Sequence, residues 1–434
     1  MTSTLTKPAS VPGLNAPTFH YHPNGLTIVA EQLPVEAVNL NVWVNTGSAI
    51  ESDDINGMAH FLEHMVFKGT SQLASGEFER RIEERGAVTN AATSQDYTHF
   101  YITTAPQDFA YLTPLQLDVV FNPSIPEAAF ERERLVVLEE IRRSEDNPGR
   151  RSFRRAMETA FDRLPYRRPI LGPAAVIEQV TPQQMKSFHQ RYYQPKSATV
   201  VAVGNLPVEQ LIATVNDAVE AAQLQTVDHE AHQDLPIWDF VPESGFAQVT
   251  RREVVDEKLQ QARLILVWRT PGMKQLLETY PIDILAYILG QGRTARLVKD
   301  LREERGLVSS ISASHMTQRL QGVFYISARL PMENLTEVEG IVLQHIQQLH
   351  QEWVSEAELT KIQTQVANRF VFGNEAPSDR AGLYGYYQTL VGDLTVALNY
   401  PNRIQSITPA DLQQAAQHYL SPDAYGAVIL KPGK

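Results

Sequence analysis

A repeated segment is the feature of this chain that most limits the folds open to it. Thr181 and Thr408 each begin a Thr-Pro pair, and in both copies a Tyr follows eleven residues later and a Pro fourteen residues later. Each copy then enters an apolar run with strand character, at 198–204 and 424–430. The chain is therefore predicted to contain two copies of one structural unit, because self-similarity at this scale is typical of duplicated folds.

The spacing of apolar residues predicts an α+β fold. Each copy is expected to form an antiparallel sheet with helices packed on one face. The first domain is predicted over residues 1–225 and the second over 243–434, joined by a polar, proline-containing linker at 226–242. Strands are predicted at 26–33, 39–46, 98–104, 198–203, 263–269, 323–330 and 424–430, and helices around His60 and at 76–85, 127–145, 182–192 and 356–372.

Two imidazoles and a carboxylate occupy one helical turn in the pentapeptide His60-Phe61-Leu62-Glu63-His64. Side chains three and four positions apart on a helix are neighbours, so both imidazoles can bind one metal ion while Glu63 points to the same place. This H-x-x-E-H order occurs in inverted zinc peptidases, where two neutral imidazoles hold Zn²⁺ and the glutamate acts as general base on the metal-bound water. The alternative is a partly exposed helix that carries two histidines by chance.

A catalytic zinc ion needs a third protein ligand and an open position for water. The candidate is Glu140, in the predicted helix 127–145. Glu133 lies two turns earlier on the same face, with Val136 and Val137 between them. Carboxylates beside apolar side chains are unusual unless a positive group meets them, and zinc would be that group. The alternative is a charged surface helix.

The second half of the chain lacks these metal-binding groups. When residues 127–130 are matched with 356–359, the positions of Glu133 and Glu140 hold Ile362 and Arg369. No second H-x-x-E-H is present, so the chemistry is predicted to reside in the first copy alone.

The segment 57–70, which contains the pentapeptide and ends in Phe-Lys-Gly-Thr, resembles the zinc helix of the pitrilysin–insulysin family of inverted zinc metallopeptidases. Its short two-domain branch, which includes the mitochondrial processing peptidases, is the most similar. The resemblance extends over essentially the whole chain and is sharpest before residue 145. It implies that His60, His64 and Glu140 are the zinc ligands, that Glu63 is the general base, and that Glu133 is an auxiliary acid that orients a ligand histidine.

The segment 86–98 resembles a second feature of that family. There it supplies an edge strand that pairs with the substrate backbone near the metal. The resemblance therefore implies that the substrate-binding residues include Asn90, Ala91, Ala92 and Thr93.

One departure from the family pattern concerns the substrate clamp. In the family, the second domain of the facing half or subunit offers an Arg and a Tyr seven residues apart. The matching segment 301–310 keeps Arg302 but has Ser309 at the tyrosine position. Two copies of this chain would form a clam-like chamber with incomplete clamps. A heterodimer is therefore expected, in which a homologous partner supplies the Arg/Tyr pair.

Composition narrows the range of functions. The net charge of −12 and the lack of a basic stripe argue against a nucleic-acid partner. A negatively charged chamber would attract basic peptides, although net charge is weak evidence for substrate choice. The chain has no cysteine, which excludes disulfides and thiolate chemistry, and no apolar run approaches the length of a membrane span. The first residues lack the apolar core of a signal peptide and the arginines of a mitochondrial presequence, so a cytoplasmic location is expected.

Three functions remain open at this point. The favoured one is a zinc endopeptidase that cleaves short or unfolded peptides inside an enclosed chamber. The second is a non-catalytic structural homologue, resembling the core subunits of respiratory complexes, and the third is a peptide-binding subunit with a vestigial zinc site. The complete set of zinc ligands favours the endopeptidase, while Ser309 keeps the third function open.

Overall fold

A computed structural model of the chain describes residues 14–224 and 240–433. Most of the predicted linker, residues 226–239, lies outside the described residues. The strands are β1 Thr18–Tyr21, β2 Thr27–Gln32, β3 Val38–Val44, β4 Val88–Thr93, β5 Thr98–Thr104, β6 Ala198–Gly204, β7 Thr250–Asp256, β8 Ala262–Pro271, β9 Ser310–Met316, β10 Gln321–Leu330 and β11 Gly426–Pro432.

The helices belong to both halves and include several that the sequence did not predict. They are α1 Met58–Val66, α2 Glu77–Glu84, α3 Phe109–Phe121, α4 Glu127–Asp146, α5 Pro148–Ala160, α6 Ala174–Ile177, α7 Pro182–Tyr192, α8 Val208–Ala221, α9 Leu276–Gly290, α10 Leu335–Gln351, α11 Glu356–Phe372, α12 Pro377–Leu390, α13 Thr395–Leu398, α14 Tyr400–Ser406 and α15 Pro409–Tyr419. None of the helices among the described residues combines the length and apolar character required of a membrane-spanning segment.

Two sheets form the framework, and the second repeats the plan of the first. The first sheet has the order β1-β2-β6-β3-β5-β4, and the second has the order β7-β11-β8-β10-β9. The predicted α+β class with two related sheets is confirmed. Each sheet also contains one parallel pair, β2 with β6 and β7 with β11, which the prediction of purely antiparallel sheets did not include.

The sequence repeat has a structural basis in the helices α7 and α15. Each begins at a Thr-Pro pair, and the Thr hydroxyl accepts a hydrogen bond from a backbone N–H in the first turn. Gln184 and Asp411 accept a hydrogen bond in return from the backbone N–H of Thr181 and Thr408, which completes a capping box in both copies. Each helix then leads into the central part of its sheet, so the repeated residues start equivalent helices.

Each sheet is covered on its second face by a helix from the other domain. Strand residues alternate between faces, and Trp43, on one face of the first sheet, packs with Ala381 and Tyr384 of α12. In the second sheet, residues such as Ile265 pack in the same cluster as Met157 of α5. The sequence predicts helices on one face of each sheet, whereas the structure has helices on both faces. Because both faces are buried, the central strands β3 and β6 are apolar or enclosed along their length.

Candidate metal centre

Helix α1 is anchored at its start by a buried carboxylate that the sequence analysis did not identify. Glu51 accepts hydrogen bonds from the backbone N–H of Gly57 at 2.8 Å and of Ala59 at 2.7 Å, and from the side chain of Asn56 at 2.8 Å. Burial raises the pKa of Glu51 to about 7, although these hydrogen bonds lower it. By satisfying N–H groups of the first turn, Glu51 fixes the helix end that lies next to His60.

Three predicted metal ligands converge between α1 and α4. The Nε2 atoms of His60 and His64 lie 3.4 Å and 3.6 Å from Oε2 of Glu140. One ligand atom from each residue can be chosen so that all lie within 4.8 Å of one another, and no other such group of His, Cys, Asp or Glu occurs among the described residues. A tetrahedral centre with bonds of about 2.1 Å separates its ligand atoms by about 3.4 Å. The residues present therefore fit a zinc ion.

Packing of α4 against α1 brings Glu140 to the two histidines. The rings of Phe61 and Phe130 stack with their centroids 4.5 Å apart, and Val137 and Ile141 are buried in the same core. The buried face of α4 thus lies against α1, and Glu140 is at its edge. The expectation that Val136 also lies on this face is wrong, because 51% of Val136 is exposed.

Glu133 holds His64 in a fixed orientation. Oε1 of Glu133 lies 2.9 Å from Nδ1 of His64, and its Oε2 lies 2.8 Å from Nζ of Lys68. Burial works against the ionised carboxylate, but the hydrogen bonds from Lys68 and His64 outweigh it and lower the pKa of Glu133. An ionised carboxylate only accepts hydrogen bonds, so Nδ1 of His64 carries the proton and Nε2 is left to face Glu140. Lys68, unlike Glu133, is not predicted from the sequence.

The same contacts set the protonation of the metal-free cluster. Hydrogen bonds with His60 and then with His64 hold the pKa of Glu140 far below its usual range. Burial opposes protonation of His64, but hydrogen bonds to Glu140 and Glu133 outweigh it and raise the pKa of His64. The carboxylates of Glu140 and Glu133 thus favour a positive charge at His64.

The candidate general base is held by the edge strand β4. Oγ1 of Thr93 donates a hydrogen bond of 2.5 Å to Oε2 of Glu63. Ala92 and Thr93 line the same cavity as Glu63, whereas Asn90 and Ala91, the other two predicted substrate contacts, do not line it. On one side β4 pairs with β5, and on its other side no strand among the described residues pairs with it. Its free edge has unpaired backbone groups that a peptide can bind.

The cavity beside Glu63 has a volume of about 840 Å³ and lies between the two domains. The first domain contributes α4, α5 and the turn 94–97, and the second contributes residues 316–318 and the end of α12. Asp96 connects the two walls because it accepts hydrogen bonds from the hydroxyl of Tyr166 and from the backbone N–H of Arg319, both at 2.9 Å. The turn after β4 is thus fixed by both domains.

The predicted clamp residues lie elsewhere in this chain. Arg302 is not among the residues that line the cavity of the described structure, and its guanidinium binds the carboxylate of Glu303. The hydroxyl of Ser309 lies 2.8 Å from the side-chain oxygen of Gln261 and 3.1 Å from the carbonyl oxygen of Arg329. Within one chain, the structure does not bring either residue to the cluster at His60.

Known proteins match this chain over nearly its whole length. Residues 27–174 match the model of the insulinase family, peptidase family M16, and residues 179–366 match the model described as the peptidase M16 inactive domain. A Mycobacterium tuberculosis protein described as an uncharacterized zinc protease is 28% identical over 429 residues, which cover 98% of this chain and 95% of that protein. The zinc protease PqqE of Helicobacter pylori is 27% identical over 415 residues, which cover 94% of this chain and 91% of that protein.

Solved structures show the same architecture. A protease from Helicobacter pylori has a TM-score of 0.89 at 27% identity, with 96% of this chain and 100% of that chain covered. A structure from Pseudomonas fluorescens described as a peptidase M16 inactive domain has a TM-score of 0.83 at 17% identity, with 96% and 98% covered. The second likeness concerns the fold alone. The part of this chain that matches the inactive-domain model is the one in which Ile362 occupies the position of a metal-site carboxylate.

Proposed function

Because the chain belongs to peptidase family M16, in the branch with two domains, we propose that it is a zinc-dependent endopeptidase acting on short or unfolded peptides. The observation that carries the proposal is the convergence of His60 and His64 on Glu140, with Glu63 in the adjoining cavity. The names of the relatives as zinc proteases support zinc as the metal. Nitrogen and oxygen ligands of this kind suit zinc.

His60, His64 and Glu140 would hold the metal, and bound zinc supplies a Lewis acid that activates water and polarises a carbonyl group. Glu63 is placed to accept a proton from the attacking water at its carboxylate and to pass it to the leaving amine nitrogen. Thr93 holds that carboxylate in position through one oxygen, which leaves the other oxygen available for the proton. Glu133 and Lys68 keep His64 oriented and do not touch the substrate.

The substrate class follows from the edge strand and the cavity. An extended peptide can add to the free edge of β4, with its backbone held by main-chain hydrogen bonds that do not depend on sequence. A cavity of about 840 Å³ takes a few residues of an extended chain and excludes a folded domain. These features favour short or unfolded peptides as substrates.

Cleavage of fluorogenic peptides by the zinc-loaded protein tests the proposal, with Glu63→Gln as the comparison. This substitution keeps the shape of the side chain and leaves the three ligands in place, so the variant should bind zinc normally. Its rate should fall by at least about a hundredfold, because general-base catalysis contributes that much or more. Zinc binding without turnover in the wild type, even with a homologous partner present, would instead indicate a peptide-binding subunit.

The heterodimer belongs to the same proposal. Arg302 and Ser309 are engaged with neighbouring residues of their own domain, away from the cavity of their own chain. This placement supports a clamp that acts across a subunit boundary, with a homologous partner supplying the Arg/Tyr pair. Mixing this chain with a homologue that has the tyrosine should raise peptide cleavage, and full activity of this chain alone would contradict the requirement. The enclosed chamber and the cytoplasmic location remain predictions.

A further inference from the structure

The cavity beside Glu140 has an arginine-rich wall although the chain carries a net charge of −12. Helix α5 and the segment that follows it contribute five arginines to the lining, which are Arg150, Arg151, Arg154, Arg167 and Arg168. The arginines outnumber the four lining carboxylates, which are Glu63, Asp96, Glu140 and Glu145. Of these carboxylates, Glu63 and Glu140 face the proposed metal position. The charged side chains on this wall are therefore mainly cationic, in contrast to the acidic chain as a whole and to what an attraction for basic peptides requires.

Two of the five arginines bind carboxylates at 2.9 Å or less. Nε of Arg151 lies 2.8 Å from Asp256, and its Nη2 binds the same carboxylate. Nη1 of Arg168 lies 2.9 Å from Asp53. Both side chains are largely buried and are committed to these contacts. They hold the wall together and are not assigned to substrate.

The other three arginines have donors to spare. No hydrogen bond or ion pair of the Arg150 side chain is formed within the described residues. Nη1 of Arg154 lies 3.3 Å from Oε1 of Glu145, and its Nε lies 3.8 Å from Oε1 of Glu158. Nη2 of Arg167 lies 3.7 Å from Oδ2 of Asp53, which is exposed. The Nε atoms of Arg154 and Arg167 are buried without a hydrogen-bond partner among the described residues. A guanidinium has five N–H donors, so these side chains can each bind a further acceptor.

The rigid helix α5 carries two of these three arginines. Arg150 and Arg154 are four residues apart and therefore lie on one face, with Phe153 beside them on the cavity wall. The opposite face of α5 packs on the second sheet, which fixes the helix between the domains. The wall thus combines cationic groups with an apolar ring, as a binding site for an amphipathic side chain requires.

The arginine wall is close to the proposed site of cleavage. Helix α5 follows α4 after a single residue, and Ser144 and Glu145 line the cavity between Glu140 and Arg150. The chain is extended at Asn147, so the backbone distance from Glu140 to Arg150 is at most about 17 Å, from nine helical steps and one extended step, and an extended peptide covers that length with about five residues. A substrate lying from the metal ligands toward α5 therefore brings a nearby residue to the arginines.

We propose that Arg150, Arg154 and Arg167 form a subsite for a carboxylate of the substrate, located within about five residues of the bond that is cut. Arginine binds carboxylates through paired, charge-assisted hydrogen bonds, which are stronger than those between neutral groups. The carboxylate belongs either to an acidic side chain of the peptide or to its free C-terminus. The inference rests on the proposed peptidase function, because it concerns the substrate of that site.

Peptide binding to the zinc-loaded Glu63→Gln protein tests the subsite without turnover. The probes are fluorescently labelled peptides of about ten residues that differ only in Glu or Gln at one position, each made with a free and with an amidated C-terminus. The Glu peptide should bind about tenfold tighter or more, since a hydrogen bond to a charged group adds that much. A preference that follows only the free C-terminus would assign the subsite to the terminal carboxylate.

Substitutions identify the arginines responsible. Arg150→Gln and Arg154→Gln, each added to Glu63→Gln, should reduce the preference for the carboxylate to a few-fold or less. Arg143→Gln is the matched control, because Arg143 is exposed on α4, does not line the cavity and, among the described residues, pairs with Glu139 alone. Thermal unfolding of each variant shows whether it is folded, and exposed Arg150 provides a substitution that leaves the core unchanged.

The outcomes separate this inference from the proposed function. Equal binding of all four peptides, no measurable binding of any of them, or a preference that survives both arginine substitutions would overturn the subsite. Selective binding with no cleavage of the same peptides by the zinc-loaded wild type would leave the subsite standing and count against the peptidase. Cleavage of the peptides together with equal binding of all four would overturn the subsite and support the peptidase.

Discussion

Substitution of Glu133 by Gln is expected to weaken zinc binding by about ten- to a hundredfold, which corresponds to about 1 to 3 kcal/mol. Glu133 accepts hydrogen bonds from Nδ1 of His64 at 2.9 Å and from Nζ of Lys68 at 2.8 Å. The amide of Gln retains an oxygen that can accept from His64 but carries no charge. The expected loss therefore measures how much the ionised carboxylate strengthens His64 as a ligand, and not how much it fills space.

The same substitution should change how zinc binding depends on pH. In the metal-free protein, Glu140 and Glu133 outweigh burial and raise the pKa of His64, so a proton competes with zinc up to a higher pH than for an ordinary histidine. Zinc affinity should therefore fall as the pH decreases through this raised pKa. Without the charge of Glu133 the pKa of His64 is lower, so the decrease should begin at a lower pH.

Competition with a chromophoric chelator at several pH values measures both effects. Glu139→Gln is the matched control, because it removes the same charge from the same helix, next to Glu140, where Glu139 is partly exposed and pairs with Arg142 and Arg143. Surface pairs of this kind contribute little, so the control should bind zinc as the wild type does. Equal zinc affinity of Glu133→Gln and the wild type, or an equal loss in the control, would refute the role assigned to Glu133.

Three further substitutions test the site and the fold. Thr93→Val should lower the kcat of peptide cleavage by about tenfold, because it removes the hydrogen bond to the general base, with no change in zinc content; an unchanged kcat would contradict this role. Gly385→Ala should lower the free energy of unfolding in urea by about 1 to 3 kcal/mol, because the added Cβ would lie 2.0 Å from the indole nitrogen of Trp43. Gly382→Ala on the same helix is the control. Its added Cβ meets nothing within 4 Å, so the free energy of unfolding should not fall. Burial lowers the pKa of His189 to about 4. As the pH falls from about 6.5 to 4, His189 therefore takes up a proton in the unfolded chain but not in the folded one. The free energy of unfolding should decrease by up to about 3 kcal/mol over that range, and His189→Gln should flatten the profile; identical profiles would refute the assignment.

The parts of the site that lie along single helices could be predicted from the sequence. Spacing on a helix fixes which side chains share a face, so the proximity of His60 to His64 and of Glu133 to Glu140 follows from local geometry. The boundaries of α7 and α11 also agree with prediction because proline, threonine or serine marks their starts. Local chemistry decides these features, and it is readable in one sequence.

The remaining features depend on contacts between distant segments. The bond from Thr93 to Glu63 joins a strand to a helix thirty residues away, and Glu51 caps α1 across a loop. The placement of α5 and α12 on the opposite domain's sheet is decided by which apolar faces remain uncovered, which no local pattern reports. In sequence, Arg150 and Arg154 indicate only a charged segment, and tertiary packing is what turns them toward the cavity.

The central claim is that His60, His64 and Glu140 hold one zinc ion beside Glu63. Diffraction data collected on both sides of the zinc absorption edge, from crystals of the zinc-loaded chain, test it most directly. One anomalous peak per chain is expected, within bonding distance, about 2.0 to 2.2 Å, of both imidazole Nε2 atoms and a Glu140 oxygen. A zinc peak bound elsewhere, or none at this cluster with zinc in excess, would contradict the account.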